Sequence, residues 1–255
     1  MNRSYLKSKV QIILWLRGII LGVGVIIPGV SGGTIMVIFG MYEKMLRDLL
    51  RFHMKPYIAM GIGALVGVFV GGALLSFLFD RHPDPTYGFI LGCLFMSIPL
   101  ILQRTKGFTR NRMILLINGA ILSFSLLELP AVFTVGALTI PQIFLAGFIS
   151  SATMMIPGVS GSAILIVLGL YESILEAVRE FQMGTLVVFV TGAATGVFLL
   201  AKVLKTLFAL YMSEILFFFS GLIIGSFKML MPASIGFFPL VTFGLGLALV
   251  YRFGK

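Results

Sequence analysis

This 255-residue chain has little of what keeps a protein in water. Only 11% of its residues are charged, against about 25% in an ordinary soluble domain. Apolar residues reach 59%, and the mean hydropathy is +1.10. That leaves too little polar surface to coat a soluble globule, or to solvate a disordered chain. A single cysteine, Cys93, excludes an intramolecular disulfide, and its place in an apolar run makes it a small buried hydrophobe. The only histidines, His53 and His82, stand in charged loops. There is no H-E-x-x-H, C-x-x-C, Walker loop or nucleotide-binding fingerprint, so the sequence displays no metal site, no cofactor and no catalytic set. Alanine is absent before Ala59. The basic N-terminus (Arg3, Lys7, Lys9) and the apolar run after it therefore lack an A-x-A-type cleavage site, and the segment is expected to stay. Acidic residues are also scarce, 9 against 19 basic, giving a net charge of +10. The basic residues lie between apolar runs rather than in one patch, which is a signal of topology and anionic-lipid contact, not of nucleic-acid binding.

What is present is a series of apolar runs long enough to span a bilayer, each about 20 residues. The fold expected is an all-α polytopic membrane protein. From Ile12 to Tyr42 the only charge is Arg17, yet the run is too long for one crossing and is interrupted by Pro28-Gly29-Val30-Ser31-Gly32-Gly33. Proline and paired glycines end a helix and permit a tight reversal. The segment 12–42 is therefore expected to be a re-entrant helical hairpin, followed by spans at about 57–79, 86–102 and 113–129. A second long run, 142–171, contains Pro157-Gly158-Val159-Ser160-Gly161-Ser162 and is followed by spans at about 185–208, 213–231 and 237–250. Lys44, Arg47, Arg51 and Lys55 place the first hairpin's exit inside, as do Arg104, Lys106, Arg110 and Arg112 for their loop. Only Arg81, Arg179 and Lys228 fall outside or near the outer face, and both termini come out cytoplasmic.

The two broken runs are copies. PGVSGGTIMVIFGMYEKML (28–46) aligns with PGVSGSAILIVLGLYESIL (157–175) at an offset of 129, with 10 of 19 positions identical. The same offset carries Gly63, Gly67 and Gly92 onto Gly192, Gly196 and Gly221. The chain divides into a first repeat, 1–128, and a second, 129–255, each holding one hairpin and three spans. Three is odd, so the second copy is expected to be inverted, the architecture in which broken helices meet at a central site.

Each PGVSG is followed by renewed helical character. Helix N-termini and glycine-exposed amides attract anions. The amides of Gly32, Gly33, Thr34, Gly161 and Ser162, with the hydroxyls of Ser31, Thr34, Ser160 and Ser162, form a candidate phosphate or carboxylate site; the alternative is that they only cap half-helices. Arg17 is costly inside a span, about 2.5–3.5 kcal/mol, and has no repeat partner, since Ala146 holds its place. It is a candidate for neutralising an anionic headgroup, against snorkelling to the interface. Glu43 and Glu172, after Tyr42 and Tyr171, are candidates for gating or coupling, or simple interfacial charges.

The paired PGVSGGT…G.YE and PGVSGS…G.YE motifs resemble the bacterial polyprenyl-phosphate (undecaprenyl-phosphate) translocases of the PopT type, over nearly the whole chain. The resemblance implies a transporter in the bacterial cytoplasmic membrane that returns undecaprenyl phosphate from the outer to the cytoplasmic leaflet for peptidoglycan and other envelope glycans. Its implied partner is the polyprenyl-phosphate lipid, and a homo-oligomer is compatible with it. The motif is also similar to the P-G-x-S-R-S loop of undecaprenyl-diphosphate phosphatases, but Gly32 and Gly161 stand where that loop has arginine. Without that cation, the charge on a transferring phosphoryl group loses its main stabiliser. A phosphatase-like enzyme or a small-anion channel is the alternative.

The inverted repeat has a direct consequence. Single cysteines at Lys44 and Glu176, in a Cys93→Ser background, should be labelled by an impermeant thiol reagent from opposite sides of the membrane. Labelling of both from one side would exclude inversion.

Overall fold

The computed structural model describes residues 3–26, 32–126, 139–159 and 161–253. It is all-helical, with no strand among the described residues. The first half runs α1 (Arg3–Ile26), α2 (Gly32–Ile38), α3 (Tyr42–Leu50), α4 (Ile58–Arg81), α5 (Pro83–Leu102) and α6 (Arg110–Leu126). The second half runs α7 (Ile140–Met154), α8 (Gly161–Val167), α9 (Tyr171–Arg179), α10 (Met183–Ser226) and α11 (Phe237–Phe253). Among the described residues, three helical stretches are long and apolar enough to cross a membrane: Lys55–Arg81, Pro83–Leu102 and Met183–Leu230. A straight helix of α10's 44 residues would be about 66 Å long, twice a hydrocarbon core of about 30 Å. It breaks at Tyr211, where φ is −132° and ψ is 40°.

Local chemistry sets the element ends. Pro83 opens α5 and Pro141 lies in the first turn of α7, positions where a missing N–H costs nothing. Thr139 donates its N–H to Gln142 Oε1 at 2.9 Å, holding the start of α7. Two elements were not legible as helices from charge alone: α3 and α9. Both are short and amphipathic. In α3, Tyr42 and Leu46 are buried while Lys44 and Arg47 are exposed; in α9, Ile174 and Ala177 are buried.

The helices pack backbone to backbone through glycines, as expected where apolar lipid supplies no hydrophobic drive between helices. On α4, a side chain at Gly63 or Gly67 would collide with the carbonyls of Trp15 or Ile19 on α1. On α10, Gly192 and Gly196 meet the carbonyls of Phe144 and Phe148 on α7 in the same way. Each second-half partner lies 129 residues after its first-half counterpart. The duplicated sequence thus builds the same interface twice. The last helix of each half then packs on the other half: Gly92 of α5 lies against the Phe243 carbonyl of α11, and Gly221 of α10 against the Leu116 carbonyl of α6.

Polar clamps close this exchange at the loops. Asp84 accepts from the Ala233 N–H at 2.8 Å and the Ser234 hydroxyl at 2.5 Å. At the matching place in the other half, the Lys106 N–H donates to Ser213 Oγ at 3.1 Å, and Arg112 pairs with Glu214 at 3.0 Å.

Close approach at the glycines makes a graded prediction. Gly67→Ala and Gly196→Ala should each cost about 1–3 kcal/mol by overpacking and lower the thermal midpoint of the detergent-purified protein. Gly61→Ala, where nothing lies within 4 Å, should leave the midpoint unchanged or slightly raised. An equal response at all three positions would refute the close backbone approach.

Candidate functional site

The two breaks are built alike. Helices α2 and α8 each have seven residues, beginning at Gly32 and Gly161. Both end in a left-handed glycine, Gly40 at φ +66° and Gly169 at φ +72°. The Met41 N–H reaches back to the Met36 carbonyl at 3.0 Å, and the Leu170 N–H to the Leu165 carbonyl at 2.9 Å. This six-to-one closure is how a helix end satisfies its last carbonyls, and only glycine enters it without strain. The C-terminal turn of each short helix is therefore closed mainly by its own chain.

The segment between α7 and α8 is held across the halves, by α2 and α3. Thr34, 1% exposed, accepts the N–H of Gly158 on its hydroxyl at 3.0 Å. Tyr42 donates its hydroxyl to the Met155 carbonyl at 2.6 Å. The α-carbon of Gly33 packs so closely on that carbonyl that a Cβ would lie 2.5 Å from it. Ser123 of α6 donates to the Gly158 carbonyl at 3.4 Å. Gly158 itself sits at φ +82°, wedged against the backbone of Leu222 and Ile223. The ring of Tyr42 is held by Phe208 and Phe219, with centroids 5.4 and 6.1 Å away. Aromatic packing and a buried hydroxyl bond thus pin the first break onto the second.

Among the candidate site residues, Gly33 and Thr34 are brought against Met155 and Gly158 of the second break. Gly32 is half-buried beside Leu21 and Val25. Gly161 is buried on its own half, against Ser150 and Met154 of α7, and Ser162 is exposed. Ser31 and Ser160, with residues 28–30, lie outside the described residues. Arg17 is not beside the amides of Gly32–Thr34. Its Nη1 donates to Met41 Sδ at 3.0 Å, and its guanidinium stands 5.5 Å from the Phe39 ring centre. That is the opposite end of α2, about 10 Å along seven residues. Glu43 is half-buried and lines a small cleft, whereas its repeat partner Glu172 is exposed.

One cation was missed. Arg104, after α5, donates to the carbonyls of Val37 and Ile38 at 3.2 Å each and lies over Gly40. In sequence it is one of four loop cations, and nothing in its spacing separates it from Lys106, Arg110 or Arg112. Among the described residues no three His, Cys, Asp or Glu side chains gather. The polar chemistry here is that of backbone groups and hydroxyls at the breaks and of two guanidinium groups at the far end of α2.

An apolar, all-helical bundle with glycine-packed helices and two mutually braced breaks defines an integral membrane protein. A family model described as VCA0040-like, undecaprenyl phosphate translocase-like, matches residues 3–84 and 53–236, and the chain belongs to that family. It is 30% identical over 246 residues to the polyprenyl-phosphate transporter of Vibrio cholerae, covering 89% of this chain and 79% of that protein. Family and relative are named as transporters, not enzymes. No solved structure matches.

The braces predict a stability cost. Tyr42→Phe strands the Met155 carbonyl, and Thr34→Val strands the Gly158 N–H. Each should cost about 1–3 kcal/mol, read as a lowered thermal midpoint. Wild-type midpoints in both variants would show that the breaks are not held together by these bonds.

Proposed function

We propose that this protein moves undecaprenyl phosphate from the outer to the cytoplasmic leaflet of the bacterial cytoplasmic membrane, with its two halves as inverted repeats and segments 12–42 and 142–171 as re-entrant hairpins. The observation that carries the reading is the contact of the two breaks through Thr34 and Gly158. Backbone broken inside an apolar bundle is expensive, several kcal/mol for each unpaired group. A scaffold that only had to be stable would have continued its helices. Breaking two of them and making the breaks meet is the arrangement expected of a carrier whose site opens between repeats.

In the arrangement described, the Gly158 N–H is already taken by Thr34 and Gly33 is closed against Met155. A headgroup therefore enters only when the breaks part, and the amides and hydroxyls freed by that parting become its ligands. The lipid phosphate replaces one half's groups as partner of the other's. The directional part of the reading, outer to cytoplasmic, rests on the family resemblance.

The glycines differ in how cleanly they test this. A side chain at Gly161 would collide with the Ser150 carbonyl and Met154, so Gly161→Glu perturbs folding as well as binding. At Gly32 a Cβ meets only side-chain atoms of Val25 and Leu21, at 3.5 and 3.7 Å. Gly32→Glu should therefore insert normally, place a like charge beside the headgroup and abolish leaflet exchange of labelled undecaprenyl phosphate in proteoliposomes. Wild-type exchange in this variant would reduce the break to a structural cap. Phosphate release from the diphosphate lipid would mark an enzyme instead, and ionic conductance a channel.

A further inference from the structure

We propose that Arg17 and Arg104 form a one-sided docking station for a phosphate monoester headgroup around the Phe39–Tyr42 turn, separate from the breaks and at the far end of α2. The inference rests on the transport reading above and adds to it a second place where the headgroup stops.

Two independent observations lead here. The first is that both cations are held by weak partners. Arg17 carries five N–H donors in a planar fork, and the acceptor facing it is a thioether sulfur, a poor one. Arg104 is spread over two neutral carbonyls, each at 3.2 Å. Among the described residues the ion pair present is Arg112–Glu214, so neither guanidinium is paired with a carboxylate. A guanidinium bound only to neutral acceptors gains by exchanging them for a charged, multi-oxygen group, because charge-assisted bonds are about twice as strong.

The second observation is the repeat. The second half builds the same short helix, the same six-to-one closure and the same left-handed glycine at Gly169. It does so with Ala146 in the place of Arg17 and Ala233 in the place of Arg104. The turn therefore closes without either cation, and architecture does not require them. Two cations added to one copy of a duplicated turn serve something that one copy does and the other does not.

The surroundings suit a lipid headgroup rather than a free ion. Arg104, Tyr42 and Glu43 line one side of a small cleft, and Phe208, Met212 and Leu216 form an apolar wall beside the break in α10. Once the cleft widens, this wall would accept the first carbons of a lipid tail while the phosphate meets the Arg104 guanidinium; Arg17 reaches the same turn from outside the cleft, at Met41 and Phe39. Glu43 in the same cleft opposes a bound phosphate and so favours release. By the charge distribution this turn faces the cytoplasm, so the station lies between the breaks and the side on which the lipid is discharged.

The test uses the full-length protein in nanodiscs with undecaprenyl phosphate and, in parallel, undecaprenol, which lacks the phosphate. Arg17→Gln and Arg104→Gln should each weaken binding of the phosphate lipid about tenfold or more and leave undecaprenol binding unchanged. Arg104→Lys, which keeps the charge and a donor for the α2 carbonyls but loses the fork, should fall between and controls for folding. Millimolar inorganic phosphate should displace the lipid from the wild type and not from the double Gln variant. If the wild type does not prefer undecaprenyl phosphate to undecaprenol, the transport reading itself fails. If it does and the variants match it, the station alone is overturned. Displacement by phosphatidylglycerol as effective as that by undecaprenyl phosphate would overturn the monoester assignment in favour of a general anionic-lipid contact.

Discussion

A helix broken inside an apolar bundle leaves N–H and C=O groups that neither lipid nor hydrocarbon side chains can satisfy, and the rest of this structure is arranged around that constraint. One end of each short helix is repaired by its own chain, through the closures at Gly40 and Gly169. The opposite half adds further partners: the Thr34 hydroxyl takes the Gly158 N–H, and the Tyr42 hydroxyl donates to the Met155 carbonyl. The exchange of α6 and α11 between halves, and the clamps at Asp84 and Glu214, follow the same logic by tying each half to the other at the loops. A contact that is both necessary and breakable is what a moving site requires: two buried hydrogen bonds are worth about 1–3 kcal/mol in net terms, enough to hold a closed state and little enough for a ligand's contacts to replace.

Duplication was legible in the sequence because it leaves an arithmetic trace, and the glycine contacts follow that trace residue for residue. Gly63 and Gly192, Gly67 and Gly196 could be paired on paper before their neighbours were known. The partners α3 and α9 were not, because nine-residue amphipathic helices rich in charge look like interfacial loops when only hydropathy is counted. The exchange of α6 and α11 is invisible for a different reason: which helix a small-residue face meets is decided by the whole bundle, not by local pattern. Arg17 stood out as a lone charge in an apolar run, but the sequence could not say along which stretch of α2 its long side chain would lie. Arg104 had no signal at all, since its meaning comes from a carbonyl pair 66 and 67 residues away. The serines of the two motifs, Ser31 and Ser160, lie outside the described residues and stay a matter of sequence alone.

Against this repeated background, the departures from symmetry carry the most information. Arg17 and Arg104 have alanines as counterparts, and half-buried Glu43 has exposed Glu172. A duplicated scaffold supplies its own control: what both halves keep is needed to build the fold, and what one half alone has is free to serve one face of the membrane. The cost points the same way. A partly buried guanidinium held by a thioether and an aromatic face is costly to desolvate, a cost that a phosphate bound at the proposed station would offset.

One-sided affinity does not by itself give one-way transport. A carrier that binds its lipid more tightly on the cytoplasmic side lowers the free energy of that bound state, but the distribution of free lipid between leaflets at equilibrium is independent of any affinity the carrier has. A state can be shifted only by differential interaction, and the carrier returns to its starting state each cycle. The net inward movement proposed here must therefore come from outside the binding energetics: from consumption of the lipid phosphate on the cytoplasmic face, or from coupling to an ion gradient. The proposed arginine station would alter something else, the time the headgroup spends near the exit. Tight capture there speeds arrival and slows departure, so the affinity that best serves flux is an intermediate one. Glu43 lines the same cleft as Arg104, and in the proposed station its charge would oppose the phosphate and hold the affinity down.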